Sequence, residues 1–269
     1  MTTVCLMQNR QIGNTVYPVA LTEVVLIASR YLHPMCPDSA SSGCLFLVAT
    51  PIGNLGDLSP RASETISNCD LIACEDTRVS SKLLHHLKIR KNLVSYREEN
   101  EKTKCIELAK QIEEGQKIAL LSDAGYPCIS DPGFRLVREC HKKGLRVIPI
   151  PGPNAALSAL AVSGLPTHQF IYLGFLPKKS AQLKKVLEKW KEYDGSIVVY
   201  ESKYKIDKTL LSVEEILGQD RYICLARELT KSHESILSGP VNEVAQKQLL
   251  MSGKGEFTLV IAPSGYSFA

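Results

Sequence analysis

The sequence has no long apolar run near its N-terminus: the longest there, Val24 to Ala28, is abutted by Glu23, whereas a membrane-spanning helix needs about 20 apolar residues. Neither a membrane anchor nor an export signal is expected. None of the nine cysteines forms a Cys-x-x-Cys pair, and no two histidines stand at zinc-ligand spacing, so no metal is expected. Cys5, Cys36, Cys44, Cys69, Cys74, Cys105, Cys128, Cys140 and Cys224 are scattered, several of them in apolar strand-like runs. That pattern reads as reduced, packed thiols of a cytoplasmic protein. The charge excess is also small, at +4, below the bias of many nucleic-acid-binding domains, so any anionic partner must be met by local clusters. No repeat of fixed period and no low-complexity tract is present.

What is present is ordinary globular material, with 44% hydrophobic and 22% charged residues, enough to build a packed core. A chain of 269 residues allows one large α/β domain or two modest ones. Residues 1–43 lack periodicity and end in the turn-forming run Pro37-Asp38-Ser39-Ala40-Ser41-Ser42-Gly43, so they read as a disordered extension. From Cys44 onward apolar runs alternate with amphipathic segments. Strands are expected at 44–49, 70–74, 117–121 and 146–150, with a helix over 100–114 stopping at Gly115, and this alternation implies a sheet covered on both faces. After the break at Pro151-Gly152-Pro153, an Ala-rich helix spans 154–163. The alternation then resumes with strands at 169–175, 196–200, 221–226 and 257–262 and helices around 181–190, 206–217 and 241–251. The expected architecture is two α/β domains, 44–165 and 166–269.

Chemistry-bearing residues gather where strands end. The first strand runs into Thr50-Pro51-Ile52-Gly53-Asn54-Leu55-Gly56-Asp57, then Ser59 and Pro60, which suit an N-cap and a first helical position. The loop has neither a dinucleotide fingerprint nor a P-loop pattern, and by itself fits a structural turn as well as a ligand contact. Cys74-Glu75-Asp76-Thr77-Arg78 puts two acids and an arginine where open α/β sheets hold ligands, or caps the next helix. Ser122-Asp123-Ala124-Gly125-Tyr126-Pro127, continuing to Ser130-Asp131-Pro132-Gly133, is a shaped loop that brings backbone close to whatever it holds, and Asp131 fits an N-cap. Arg227-Glu228-Leu229-Thr230-Lys231 follows another strand.

Between Leu176 and Tyr193 six lysines stand against Glu188 and Glu192. Lys178, Lys179, Lys184, Lys185 and Lys191 are candidate RNA-phosphate contacts, and a solvated face is the plainer alternative. Leu183, Val186, Leu187 and Trp190 share helical spacing, so Trp190 reads as core. His85 and His86 sit in a helix among leucines and read as packing or surface.

Taken together, the chain from Cys44 to Ile261 resembles the tetrapyrrole methylase superfamily, in its small-subunit ribosomal RNA methyltransferase I branch. The markers are Ala49–Leu55, Glu75–Arg78, Ser122–Gly125 with Pro127, Asp131–Gly133, Pro151–Pro153 with Ala155, Gly174-Phe175-Leu176-Pro177, Tyr200-Glu201-Ser202, Ala226–Lys231 and Gly255-Glu256. The resemblance implies two α/β domains with S-adenosylmethionine in the cleft between them, and a homodimer. It also implies 2′-O-methylation of a cytidine ribose in the decoding region of small-subunit (16S) RNA. Position by position, it puts the cofactor against Pro51, Ile52, Gly53 and Asn54, against Asp123, Ala124, Gly125, Tyr126 and Pro127, against Ala155, and against Gly174, Phe175 and Leu176. Methyl transfer from a sulfonium needs alignment and removal of the hydroxyl proton. Asp76 or Glu228 is expected to take that proton, and Arg78 or Lys231 to lower the hydroxyl pKa or bind phosphate.

The chain departs from the pattern in places. Arg97-Glu98-Glu99-Asn100-Glu101 stands where relatives commonly have His-Glu-His-Asn-Glu, and Lys203-Tyr204-Lys205 where x-His-Arg is common, so no histidine serves as base at these positions. Tyr126 replaces a usual threonine. Two rivals follow: a tetrapyrrole methylase, against which the Thr-Pro-Ile-Gly-Asn loop argues, and a non-catalytic ribosome-assembly factor.

Overall fold

The computed structural model describes residues 8–12, 15–19, 43–250 and 255–268. Strands β1 (Gln8–Ile12) and β2 (Thr15–Val19) pair antiparallel, with Gln8 opposite Val19. The rest of the expected disordered extension, and the apolar run at 24–28, lie outside the described residues. Residues 43 to 269 form a separate compact unit, built on two five-stranded sheets.

The first sheet contains β3 (Cys44–Val48), β4 (Leu71–Cys74), β5 (Leu93–Ser95), β6 (Lys117–Leu121) and β7 (Arg146–Ile150). Its order is β5-β4-β6-β3-β7, and all pairs are parallel. Parallel strands are covered on both faces, and hence read as continuous apolar runs. The covering helices include α1 (Pro60–Asn68), α2 (Thr77–His86), α3 (Glu101–Glu113) and α4 (Phe134–Lys142). Ser59 caps α1 by accepting from the Ala62 N–H at 3.1 Å, with Pro60 at the first helical position. Leu45, Leu108, Ile112, Ile118, Leu120 and Leu136 form the core under α3 and α4. The central neighbours β3 and β6 send their chains in opposite directions, to β4 and to β7, which opens a crevice beyond their C-terminal ends.

The second sheet, of order β11-β10-β12-β9-β8, is mixed. It contains β8 (Phe170–Phe175), β9 (Ser196–Ser202), β10 (Tyr222–Arg227), β11 (Ser235–Pro240) and β12 (Glu256–Ile261). Only β8 and β9 pair in parallel; β9–β12, β12–β10 and β10–β11 are antiparallel. Helices α6 (Ser180–Trp190), α7 (Ile206–Leu217) and α8 (Val241–Leu249) cover one face around Leu187, Ile206, Val213, Leu225 and Leu259. Trp190 packs on the edge of this core, edge-on to Tyr193 at 5.7 Å. Helix α5 (Ala155–Val162), capped by Asn154, lays Ala156, Ala159 and Leu160 on the other face, near Val198, Cys224 and Val260. In packing terms α5 therefore goes with the second sheet, although it precedes the boundary expected near Leu165.

One expected cap is replaced. Helix α4 begins at Phe134 rather than Pro132, because Gly133, at φ 145°, presses its backbone against Leu120 and the Cys128 sulfur, where no side chain fits. Its cap is not Asp131 but Glu101, which starts α3. The Glu101 carboxylate, nearly buried, accepts from the Gly133 N–H (3.1 Å), the Arg135 N–H (3.2 Å) and the Tyr96 hydroxyl (3.2 Å), and pairs with the Arg135 guanidinium at 3.3 Å. Anionic oxygen at a helix N-terminus satisfies otherwise orphaned N–H groups. The seven described cysteines are thiols, all buried except the half-buried Cys128, and burial pushes Cys69 up to about 12 and Cys128 and Cys140 to about 11. Among the described residues no helix is long and apolar enough to cross a membrane.

Candidate active site

Strand exits from both sheets converge on one cleft of about 660 Å³. The β3 and β6 exits are tied together at its floor. The Thr50 N–H donates to the Gly125 carbonyl at 2.8 Å, the Gly125 N–H to the Thr50 carbonyl at 3.0 Å, and the Thr50 hydroxyl to the Ser122 carbonyl at 3.1 Å. Gly125 holds φ 89°, a conformation that glycine adopts without steric cost. Across the cleft, Gly53 lies so close to the β10 exit that an added Cβ would overlap the Lys231 side chain and come within 2.9 Å of the Thr230 hydroxyl. The first loop thus rests directly on the second sheet.

Asp76 N-caps α2, accepting from the Arg78 N–H at 2.8 Å, and holds the Arg78 guanidinium at 2.6 Å. These bonds to Arg78 keep the Asp76 carboxyl far below the usual carboxylate range and raise Arg78. Neither residue lines the cleft, but the Asp76 N–H donates to the Asp123 carboxylate at 3.0 Å. Glu75, Asp123 and Asp131 do line it. Burial raises all three; Asp123 then adds to Glu75 and Glu75 to Asp131, which reaches about 6, while at Asp123 the hydrogen bond from the Asp76 N–H works against the rise.

The β6 exit is also held from the second sheet. Ser130 and Tyr172 share a hydrogen bond of 2.6 Å; Tyr172 lies edge-on to Tyr200 at 5.1 Å, and the Tyr200 hydroxyl accepts from the Ala156 N–H at 3.2 Å. Gly174, at φ 65°, sits under the Ser130 hydroxyl beside an irregularity in β8. Phe175 projects into the cleft, edge-on to Tyr200 at 5.7 Å.

At the β10 exit Glu228 and Thr230 are left-handed, at φ 52° and 66°. Such strain in non-glycine residues, a β-branched threonine above all, persists where surrounding structure enforces it, and clusters at functional sites. The Glu228 carboxylate accepts from Lys231 Nζ at 3.0 Å and from the Glu256 N–H at 2.8 Å, and Lys231 also reaches the Glu256 carboxylate at 2.9 Å. Burial pushes the Glu228 carboxyl up, but the Glu256 N–H and the Lys231 ammonium outweigh it and hold the group below its usual value. Burial pulls Lys231 down, and its two carboxylate partners more than restore it.

Of the positions expected to matter, Ile52, Asp123, Ala124, Gly125, Tyr126, Ala155, Phe175, Glu228 and Lys231 line the cleft. Pro51, Gly53, Asn54, Pro127, Gly174 and Leu176 flank these in sequence without lining it, and Asn54 caps the turn Leu55–Asp57. On the basic helix, Lys178, Lys179 and Lys185 are exposed, whereas Lys184 is paired with Glu215 at 2.5 Å. Lys191 is half-buried and lends its carbonyl to Arg221; it closes α6 at the far end, about 16 Å along the axis from Ser180. Lining residues outside the expected cofactor and catalytic sets include Glu75 and Asp131, which the sequence places in strand-exit loops without assigning them a contact, and Tyr200, Glu201 and Lys203 at the exit of β9. His85 and His86 are exposed near the end of α2.

The pattern of the tetrapyrrole (corrin/porphyrin) methylases matches residues 44–245. Proteins named ribosomal RNA small subunit methyltransferase I are similar over most of the chain. The one from Halalkalibacterium halodurans is 46% identical, over 83% of this chain and 77% of its own length. The one from Thermotoga maritima is 42% identical, over 82% of this chain and 98% of its own. Among solved structures, a diphthine synthase superposes with a TM-score of 0.66 at 13% identity, covering 84% of this chain and 92% of that one. The methyltransferase CobJ gives 0.61 at 18% identity, covering 85% and 97%. These two establish the fold.

Proposed function

The chain belongs to the ribosomal RNA small subunit methyltransferase I family, a branch of the tetrapyrrole methylases, and on that premise we propose that it transfers a methyl group from S-adenosylmethionine to a cytidine ribose 2′-hydroxyl in the decoding region of small-subunit RNA. The observation that carries the reading is the convergence of strand exits from both sheets on one acid-lined cleft. Its volume of about 660 Å³ suits a cofactor-sized ligand. Burial raises the pKa of Glu75, Asp123 and Asp131, and negative neighbours add to the rise at Glu75 and Asp131, while Arg97 offsets only part of it at Glu75 and Asp123. A ligand carrying a sulfonium and an ammonium fits that donor set.

When bound, S-adenosylmethionine supplies an activated electrophilic methyl. The chain's own task is alignment and proton removal. Gly125 and its bridge to Thr50 present backbone to the cofactor, with Ile52, Ala155 and Phe175 as apolar walls. Glu228, ionised throughout the neutral range, accepts the ribose proton. Lys231 beside it stabilises the developing negative charge on the ribose oxygen. Asp76, engaged with Arg78, acts through its N–H on Asp123 as a positioning residue. Lys178, Lys179 and Lys185 offer the exposed ammonium groups for RNA phosphates. We further place the protein in the cytoplasm as a homodimer; the exposed Leu157 and Val162 of α5 supply apolar surface that a second copy would cover.

Ribose-methylation mapping of small-subunit RNA, with and without the gene, tests the reading. One 2′-O-methylcytidine of the decoding region disappears when the gene is removed; an unchanged map would sink it.

Asp131 gives a second test with a defined sign. Its pKa rises from 3.8 to about 6 on folding, so between those values the folded state holds the proton more tightly than the unfolded state does. The ligand-free protein therefore loses stability as pH rises through that window. Asp131→Asn removes the penalty. The melting temperature should rise by about 2–4 °C at pH 7.5 and stay unchanged at pH 3.5, while cofactor affinity falls. Equal melting temperatures at both pH values would mean that Asp131 is not strained.

A further inference from the structure

The turn joining β9 to α7 holds an aromatic ring in water on a rigid mount. Tyr204 is 84% exposed, and the ammonium of Lys203, which lines the cleft, lies 4.7 Å from its ring centroid. Both ends of the turn are fixed. Glu201, wholly buried, accepts from Lys205 Nζ at 3.0 and 3.3 Å, from the Thr209 hydroxyl at 2.8 Å and from the Ser202 N–H at 2.8 Å. The Lys205 N–H closes the turn onto the Ser202 carbonyl at 3.0 Å, and Ile206 enters the core directly after it.

A buried ion pair adds little net stability against its desolvation, but it fixes a conformation. Here it fixes a turn whose one exposed residue is Tyr204, with the half-buried Lys203 beside it. Lys205 Nζ also donates to the Leu176 carbonyl at 3.0 Å, tying the turn to the β8 exit, where Phe175 stands 59% exposed and Lys178 and Lys179 follow. Exposed rings interleaved with cations at the mouth of a cleft are the means by which proteins hold unpaired nucleic acid. A duplex keeps its bases stacked on each other and out of reach.

We propose that Tyr204 is a stacking platform for an unpaired base of the RNA substrate at the mouth of the cleft, with Lys203 on the adjoining phosphate. The proposal rests on the rRNA reading above. It adds a residue that selects single-stranded RNA, carried on a turn whose backbone is held in place before RNA binds.

The test compares full-length wild type, Tyr204→Ala, Tyr204→Phe and Lys203→Ala. Equilibrium affinity for purified small subunits lacking the modification is measured across salt concentrations, with S-adenosylmethionine affinity measured by calorimetry. Tyr204→Ala should weaken subunit binding about tenfold without changing the salt slope, and Tyr204→Phe should bind within about twofold of wild type. Lys203→Ala should reduce the slope by about one. Cofactor affinity should hold in both Tyr204 variants. Wild-type affinity in Tyr204→Ala overturns the proposal, as does an equal loss in Tyr204→Phe or a parallel loss of cofactor binding. If the wild type binds subunits but methylates none, the catalytic reading fails, and the affinity comparison still decides the stacking role.

Discussion

Glu228→Gln is expected to slow methyl transfer to the small subunit by about 10²–10⁴-fold, with cofactor affinity within about threefold of wild type. The amide keeps the size of the side chain, and Lys231 retains the Glu256 carboxylate at 2.9 Å, so the cleft wall stays in place. What is lost is an anionic oxygen able to take the ribose proton. Asp76→Asn is the informative contrast. Its carboxylate is engaged by Arg78 and lies off the cleft lining, so the variant should keep its methyl-transfer rate. Any effect should come from the weakened Arg78 pair at the start of α2, shifting the backbone N–H that holds Asp123 and showing as weaker cofactor binding. Single-turnover rates of the two variants at saturating cofactor separate these roles. A Glu228→Gln enzyme within tenfold of wild type would place the proton acceptor elsewhere on the wall.

Gly125→Val is expected to abolish measurable S-adenosylmethionine binding. At φ 89° a β-branched side chain is strained, and its Cβ would stand 3.4 Å from Ile52 and 3.8 Å from the Pro153 carbonyl, on the surface offered to the cofactor. The backbone can relax only by breaking the paired bonds to Thr50. The loss of stability should be about 1–3 kcal/mol, small enough to leave the circular dichroism spectrum native. Calorimetry reads the binding; a normal isotherm would move the cofactor site away from this loop.

The strands that the sequence announces well are the interior ones, buried on both faces. Cys44–Val48 and Lys117–Leu121 fall where their apolar runs put them. Two edge strands give no such signal. Leu93–Ser95 is three half-buried residues paired on one side only, and Ser235–Pro240 contains Gly239 and Pro240, a composition that reads as a turn. Within the site, the clustering of polar residues at strand exits was legible from spacing, while the division of labour among them was not. Asp76 and Glu228 look alike as acids following strands. Only side-chain geometry commits one to Arg78 and leaves the other in the cleft. The Glu201–Lys205 spacing of four suggests an ion pair on a helix surface, whereas the pair is buried across a turn. Burial depends on what the second sheet packs above it.

The cap that Glu101 places on α4 has a consequence for motion. Gly133 ends the loop that carries Asp123 and Asp131 along the cleft, and its N–H is held by a carboxylate 32 residues earlier in the chain, on a helix outside the sheet. The acidic wall cannot swing open by local fraying of its own loop without exposing a buried carboxylate and releasing Tyr96 and Arg135. Its opening free energy is therefore inherited from the α3–α4 layer. Amide exchange at Gly133 should follow the slow protons of that layer, and the two should open as one cooperative unit.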